Sequence, residues 1–434
     1  LLYLHSAIMS DTAKFLDVHA NLILHLTSIE HHSIESTSKR LVRALESTPG
    51  YDKHLSKSIP TAKNTYRKDN GLRIAWISGD VRYHPVSRFL LGLFNEYSGN
   101  FLHENLLVST TPLQDSIPEM FQAIDGIDLV DFSNKQAHFL THAIRDLEAD
   151  VAIDLSGWTH GNSSPAFMTR VAQNRINYLG YFGSTGIPAM DWWLGDSNLF
   201  PANMTQWHSE KLIRLPRCFI AWAPHPRLPE ATVDVQEAKT GGAIRFGCFN
   251  HLRKLSDATL KTWSSILAEI PSSRLILKAA GFEDPMAISL LQRRIIRSGI
   301  DIERIEFLPF SETVTEHLSQ YRLIDIALDP FPNGGCTTTA EALWMGVPVI
   351  SLAGKGMVGR LSSSLLRSAG CEEWIATDLI HYQKIARKIA SEGIRSIQQR
   401  EVLREKVSKS PLADGSRVAN ELEKYYIKKV SELS

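Results

Sequence analysis

Residues 333–346 read NGGCTTTAEALWMG, and they follow directly on the apolar run IDIALDPF at 324–331. An apolar strand, a glycine-bearing turn and then a helix form the repeating unit of a parallel α/β sheet. The three hydroxyls Thr337, Thr338 and Thr339 stand where that helix begins. Threonine is a middling helix former and a good N-cap. The glycines allow close backbone approach. Hydroxyls beside the positive end of a helix dipole suit a phosphate or pyrophosphate. Glu341, read as lying in the first turn, is placed to accept from a ribose diol. The same residues also permit a ligand-free reading, because Thr338-Thr339-Ala340-Glu341 spells a capping box.

The alternation extends in both directions from this stretch. Ahead of it AIRFGCFN, SRLILKAAG and RIEFLPF read as strands, and SDATLKTWSSILAEI as a helix with Ser256 as its N-cap. Behind it VPVISLAG reads as a strand, RLSSSLLRSAG as a helix, and the last sixty or so residues as helices. A separate alternating block begins at residue 72 with the strand LRIAWISGD, the helix RFLLGLFNEY, and the strands ADVAIDLSG and INYLGYFG. The proline-, glycine- and charge-rich stretch 223–243 separates the two blocks. The expected organisation is a helical lead-in over 1–66, an α/β domain over 67–225, a linker over 226–243 and a second α/β domain with terminal helices over 244–434.

Length and composition agree with this. A chain of 434 residues is too long for one ordinary core. Its apolar and charged fractions, 43% and 22%, are those of a globular protein, and no apolar run reaches a membrane span. Lys+Arg and Asp+Glu both number 47, so there is no basic excess of the kind that drives nucleic-acid binding. Four separated cysteines without CxxC spacing read as reduced and intracellular, and a cytoplasmic location is expected. The lead-in contains His19, His25, His31 and His32, either a metal site or solvated helix positions. The chain lacks an initiator Met and is expected to be cut from something longer, or processed.

Two further strand-to-helix loops carry chemistry-bearing side chains. FNHLRKLSD at 249–257 presents Asn250, His251, Arg253 and Lys254, a basic loop or a phosphate clamp. SGDVRYHPVSRFL at 78–90 presents His84 ahead of Pro85, either a structural histidine or one that serves as a base or as a donor to a sugar hydroxyl. No Asp-X-Asp pair occurs, so the loops favour charge stabilisation without a metal.

Taken together, ISGDVRYHPVSRFL, DLSGWTHG, YLGYFGSTGIPAMDWWLGD, FNHLRKLSDATLKTWSSIL, PSSRLILK and LDPFPNGGCTTTAEALWMGVPVIS resemble the protein O-linked N-acetylglucosamine transferase and SPINDLY group of glycosyltransferases, over residues 72 to about 425. The resemblance implies a GT-B architecture, two Rossmann-like domains facing a cleft. The first domain would take the acceptor and sugar side, and the second the nucleotide-sugar donor. It implies an inverting transferase with no metal or other cofactor, moving a sugar, foremost N-acetylglucosamine from UDP-GlcNAc, onto Ser or Thr of a protein or peptide. It also implies roles for single residues. Lys254 would contact the donor diphosphate, with Thr337 and Thr338 at the phosphates and Asn250 and His251 beside them. Glu341 would hold the ribose, and His84 would serve at the sugar. Gly183-Ser184-Thr185-Gly186 would line the sugar pocket. Three positions depart from the family: Cys336 and His251 replace a histidine and a Gln or Asn, and Thr313 stands near a uracil-side lysine. They leave open GDP-fucose, UDP-glucose or a non-protein acceptor. Tetratricopeptide repeats, usual ahead of such a region, are not seen in this chain.

Overall fold

The computed structural model describes residues 22, 26, 33–46, 71–97, 103–135, 137–159, 161–223, 242–394 and 396–431. They form two compact units, residues 1–223 with 415–434, and residues 224–414. The linker expected at 226–243, all but its last two residues, and the four lead-in histidines lie outside the described residues.

The first unit is built on seven strands: β1 Arg73–Ser78, β2 Glu104–Ser109, β3 Ile127–Asp131, β4 Val151–Asp154, β5 Asn174–Asn177, β6 Trp192–Asp196 and β7 Lys211–Leu215. Their spatial order is β3-β2-β1-β4-β5-β6-β7, and every pairing is parallel. Both faces of such a sheet are covered, so its central strands are apolar throughout. In β1, RIAWIS, five of six residues are buried, and in β4, VAID, all four are. β2, β3, β6 and β7 went unread in the sequence.

The lead-in contributes the helix Ile34–Glu46, whose Leu41, Val42 and Leu45 join one core with Ala75, Ala152, Trp158 and Tyr181. At about 2 kcal/mol for each buried aliphatic side chain, this contact fixes the helix to the unit. The chain also returns to this unit at its end. The helix Gly415–Ser431 packs against Pro85–Tyr97, and a Cβ on Gly415 would lie 2.2 Å from the Gly92 carbonyl oxygen. The expected second domain over 244–434 is thus corrected at its C-terminus, because the last helix buries its apolar face in the first unit.

The second unit has six parallel strands: β8 Arg245–Cys248, β9 Arg274–Lys278, β10 Ile305–Leu308, β11 Ile326–Leu328, β12 Val349–Leu352 and β13 Ile375–Ala376. Their order is β10-β9-β8-β11-β12-β13. In both sheets the order reverses beside the first strand, between β1 and β4 and between β8 and β11. Such a switch point opens a crevice at the carboxyl ends of the strands, where doubly wound sheets take their ligands. The three loops singled out in the sequence leave β1, β8 and β11.

A buried charge cluster fixes the second switch point from below. Asp325 accepts from the Arg245 backbone N–H and side chain at 2.9–3.0 Å, and Arg400 lies 3.7 Å away. Arg400 also donates to the carbonyls of Tyr321 and Ile324, tying the helix Ile397–Ser408 to the strand entrance.

Candidate active site

β8 ends at Cys248, and Asn250 follows within the crevice. His251 caps the short turn Leu252–Lys254, its Nδ1 accepting from the Arg253 N–H at 3.2 Å. That turn directs Lys254 back across the sheet. Lys254 Nζ donates to Asn250 Oδ1 at 3.1 Å and to the Gly334 carbonyl at 2.7 Å. Thr338 Oγ1 donates to the same Asn250 oxygen at 3.1 Å. Four expected site residues therefore meet at the head of the helix Thr337–Trp344: Asn250, Lys254, Thr337 and Thr338. Burial lowers the Lys254 pKa, opposed chiefly by the Asp329 carboxylate.

Asp329 has no role in the sequence reading, yet it organises this loop. Its Oδ1 accepts from the Gly335 N–H at 2.7 Å and from Asn250 Nδ2 at 3.3 Å, while Oδ2 accepts from Ser351 at 3.0 Å. It is 2% exposed. Gly335 is required by space, since a Cβ there would lie 2.5 Å from Thr339 Oγ1 and 2.7 Å from Thr338 Oγ1.

The capping box does not form. The helix begins at Thr337 behind Cys336, whose side chain makes no cap hydrogen bond. Glu341 lies beyond the first turn, not in it, and is 3% exposed. Its Oε2 meets His317 Nε2 at 3.1 Å and the Tyr321 hydroxyl at 3.3 Å. Cys336 is buried, and His251 is exposed. Thr313 caps the helix Val314–Ser319, accepting from the Glu316 N–H at 3.2 Å.

In the first unit His84 precedes Pro85, the first residue of the helix Pro85–Tyr97. Its carbonyl accepts from the Arg88 N–H, and its Nδ1 stands 3.5 Å from Asp80 Oδ2. Burial lowers its pKa below 6.5, against the opposing pull of Asp80. Burial thus favours the uncharged imidazole, whose Nδ1 accepts from the Val86 N–H at 3.4 Å. The loop before it is held to β4's exit. Gly79 N–H donates to Ser156 Oγ at 2.9 Å, and a Cβ on Gly79 would lie 2.5 Å from the Gly161 carbonyl oxygen.

The turn 183–186 differs from its expected form. Ser184 and Thr185 are buried, with hydroxyls turned onto the Glu210 carboxylate at 2.6 Å each. Gly186 has φ +69°, and a Cβ there would lie 2.7 Å from Ser38 Cβ of the lead-in helix. Hydroxyls bound to Glu210 are not presented to a sugar.

Among the described residues no group of three or more His, Cys, Asp or Glu side chains is placed to hold a metal ion, and no helix is long and apolar enough to cross a membrane.

Two doubly wound parallel sheets are the architecture of the GT-B glycosyltransferases. The Glycosyl transferase family 41 profile matches residues 53–231 and 231–422, and the chain belongs to that family. It is 34% identical over 379 residues to the probable UDP-N-acetylglucosamine–peptide N-acetylglucosaminyltransferase SPINDLY of Solanum lycopersicum, covering 84% of this chain and 39% of that protein. The chain thus spans about two fifths of the length of the curated relatives it matches. A solved structure of a mutant Thermobaculum terrenum O-GlcNAc transferase superposes with a TM-score of 0.83 at 30% identity, over 98% of this chain and 79% of that one. The sucrose-phosphate synthase of Thermosynechococcus elongatus shares the fold alone, with a TM-score of 0.52 at 14% identity over 83% of this chain and all of that one.

Proposed function

We propose that this chain transfers N-acetylglucosamine from UDP-N-acetylglucosamine to Ser or Thr hydroxyls of proteins, with inversion at the anomeric carbon. The single observation that carries the reading is the convergence of Lys254, Asn250 and Thr338 on the head of the helix Thr337–Trp344. The acceptor oxygen forms its bond to the anomeric carbon as the bond from that carbon to the diphosphate oxygen breaks. Negative charge then grows on the leaving phosphate. Fixed donors stabilise it there without reorganising, and such donors act on the transition state more than on the ground state. Lys254 supplies a full charge, Thr337 and Thr338 supply hydroxyls, and the first turn supplies amides. The reading contains no metal and no other cofactor. Glu341 takes the ribose, His84 belongs to the sugar side, and the acceptor hydroxyl gives up its proton to a neighbouring base or to water as its new bond forms.

The names of the relatives support the donor and the peptide acceptor. Incubation of the purified chain with UDP-N-acetylglucosamine and a Ser/Thr-rich peptide library, read by mass spectrometry, tests the reading. A mass gain of one N-acetylhexosamine on Ser or Thr is expected. Transfer only from GDP-fucose or UDP-glucose, or only to a non-protein acceptor, would replace the donor or the acceptor in this account.

A further inference from the structure

Behind the candidate ribose site lies a row of side chains that the proposed mechanism does not use. Lys278 ends β9, the neighbour of β8, and is 3% exposed. Its Nζ donates to Ser311 Oγ at 2.5 Å and lies 2.9 Å from His317 Nδ1, with the Phe249 ring 5.8 Å away. An ammonium has hydrogens to give and no lone pair to accept with. His317 Nδ1 is therefore the acceptor, and the ring carries its proton on Nε2. That proton points at Glu341 Oε2, 3.1 Å away, and the Tyr321 hydroxyl donates to the same oxygen. The lysine thus fixes the tautomer of the histidine, and the histidine fixes the carboxylate.

We propose that Lys278 is a positioning residue for donor binding, acting through His317 to hold the Glu341 carboxylate where it grips the ribose hydroxyls. The inference rests on the assignment of Glu341 to the ribose. The charged and titratable groups facing Lys278 are Glu316 and His317 from the helix Val314–Ser319 and Glu341 from the helix Thr337–Trp344. Burial brings the Lys278 pKa down to about 8, with Glu316 and Glu341 opposing. The lysine therefore loses its proton within an accessible range, and the row weakens as pH rises through that value.

The test compares UDP with 2′,3′-dideoxy-UDP, which lacks both ribose hydroxyls, by calorimetry on the full chain and on the variants Lys278→Met and Glu341→Gln. The wild type is expected to prefer UDP by ~10-fold or more, the scale of hydrogen bonds to a charged group. Each variant is expected to lose that preference while keeping its affinity for the dideoxy nucleotide. In the wild type the preference should also shrink between pH 7 and 9.5, an arm that needs no variant to fold. A preference intact in Lys278→Met but lost in Glu341→Gln overturns the inference and leaves the ribose assignment standing. So does an equal loss of both nucleotides in Lys278→Met. A wild type that binds both nucleotides alike refutes the ribose assignment itself. Should the chain bind GDP in place of UDP, the guanosine pair serves the same comparison.

Discussion

Lys254 Nζ donates to the carbonyl of Gly334 at 2.7 Å, joining two loops that are 80 residues apart in the chain. One loop leaves β8 and the other leaves β11, so the bond spans the switch point. The ammonium is thus held by backbone and by Asn250, at the head of the helix Thr337–Trp344.

Replacing Lys254 removes a preorganised donor at the developing charge. Lys254→Ala is expected to lower turnover by ~10²-fold or more, beyond what any shift in the thermal transition accounts for. Steady-state kinetics alongside a melting curve checks this. Near-normal turnover would refute the role.

Gly335 allows no side chain beside Thr338 and Thr339. Gly335→Ala places a methyl against both hydroxyls and against Asp329 Oδ1, 2.9 Å from the new carbon. Nucleoside diphosphate affinity should fall by more than ~10-fold through displaced donors, each worth on the order of 1 kcal/mol. Titration calorimetry measures it. Unchanged affinity would show that these hydroxyls do not touch the phosphates.

Much of this was legible in the sequence because parallel strands buried on both faces read as uninterrupted apolar runs. β1, β4, β8, β9, β11 and β12 all show this pattern. β13 is two residues long, β7 alternates in burial and β3 is mostly part-exposed, which is why the runs did not reveal them. Lys254, Thr337, Thr338 and Glu341 were singled out because glycines, hydroxyls and charged side chains at a strand exit carry a chemical signature. Asp329 and Lys278 were passed over although both stand inside quoted stretches. An acid or a lysine at the end of an apolar strand is visible, but its partners come from residues 22 and 39 positions away. The carboxylate partner of Ser184 and Thr185 was out of sight for the same reason, since Glu210 lies 25 residues beyond Thr185.

Asp154 offers a pH test in the first unit. It is fully buried and its pKa is raised from 3.8 to about 6 by that burial, partly offset by hydrogen bonds from the Ser156 and Gly157 N–H groups. The folded state therefore binds a proton that the unfolded state releases. Stability contributed by this group is present at low pH and is lost as pH rises from about 4 to about 6. At pH 7 burying the ionised carboxylate costs the folded state up to ~3 kcal/mol. Asp154→Asn keeps an acceptor for both N–H groups and should be neutral or stabilising at pH 7, by urea denaturation. It should also flatten that part of the pH profile. A loss of more than ~2 kcal/mol would mean that the charge itself is needed.

The lead-in helix belongs to the catalytic region's fold by its contacts. Gly186→Ala adds a methyl at φ +69°, against Ser38 of that helix. A loss of about 1–3 kcal/mol is expected from the backbone conformation and the contact together. A denaturation midpoint equal to that of the wild type would contradict both the backbone cost and the contact with Ser38.

The measurement that bears most directly on the central claim is calorimetric binding of UDP and of GDP to the purified chain, each repeated with Lys254→Ala. The account predicts that UDP binds and that the variant loses most of that affinity. Binding of GDP alone would keep the site and replace the donor. If neither nucleotide binds at millimolar concentration, the threonine-rich helix head is not a diphosphate site, and the proposed function is contradicted.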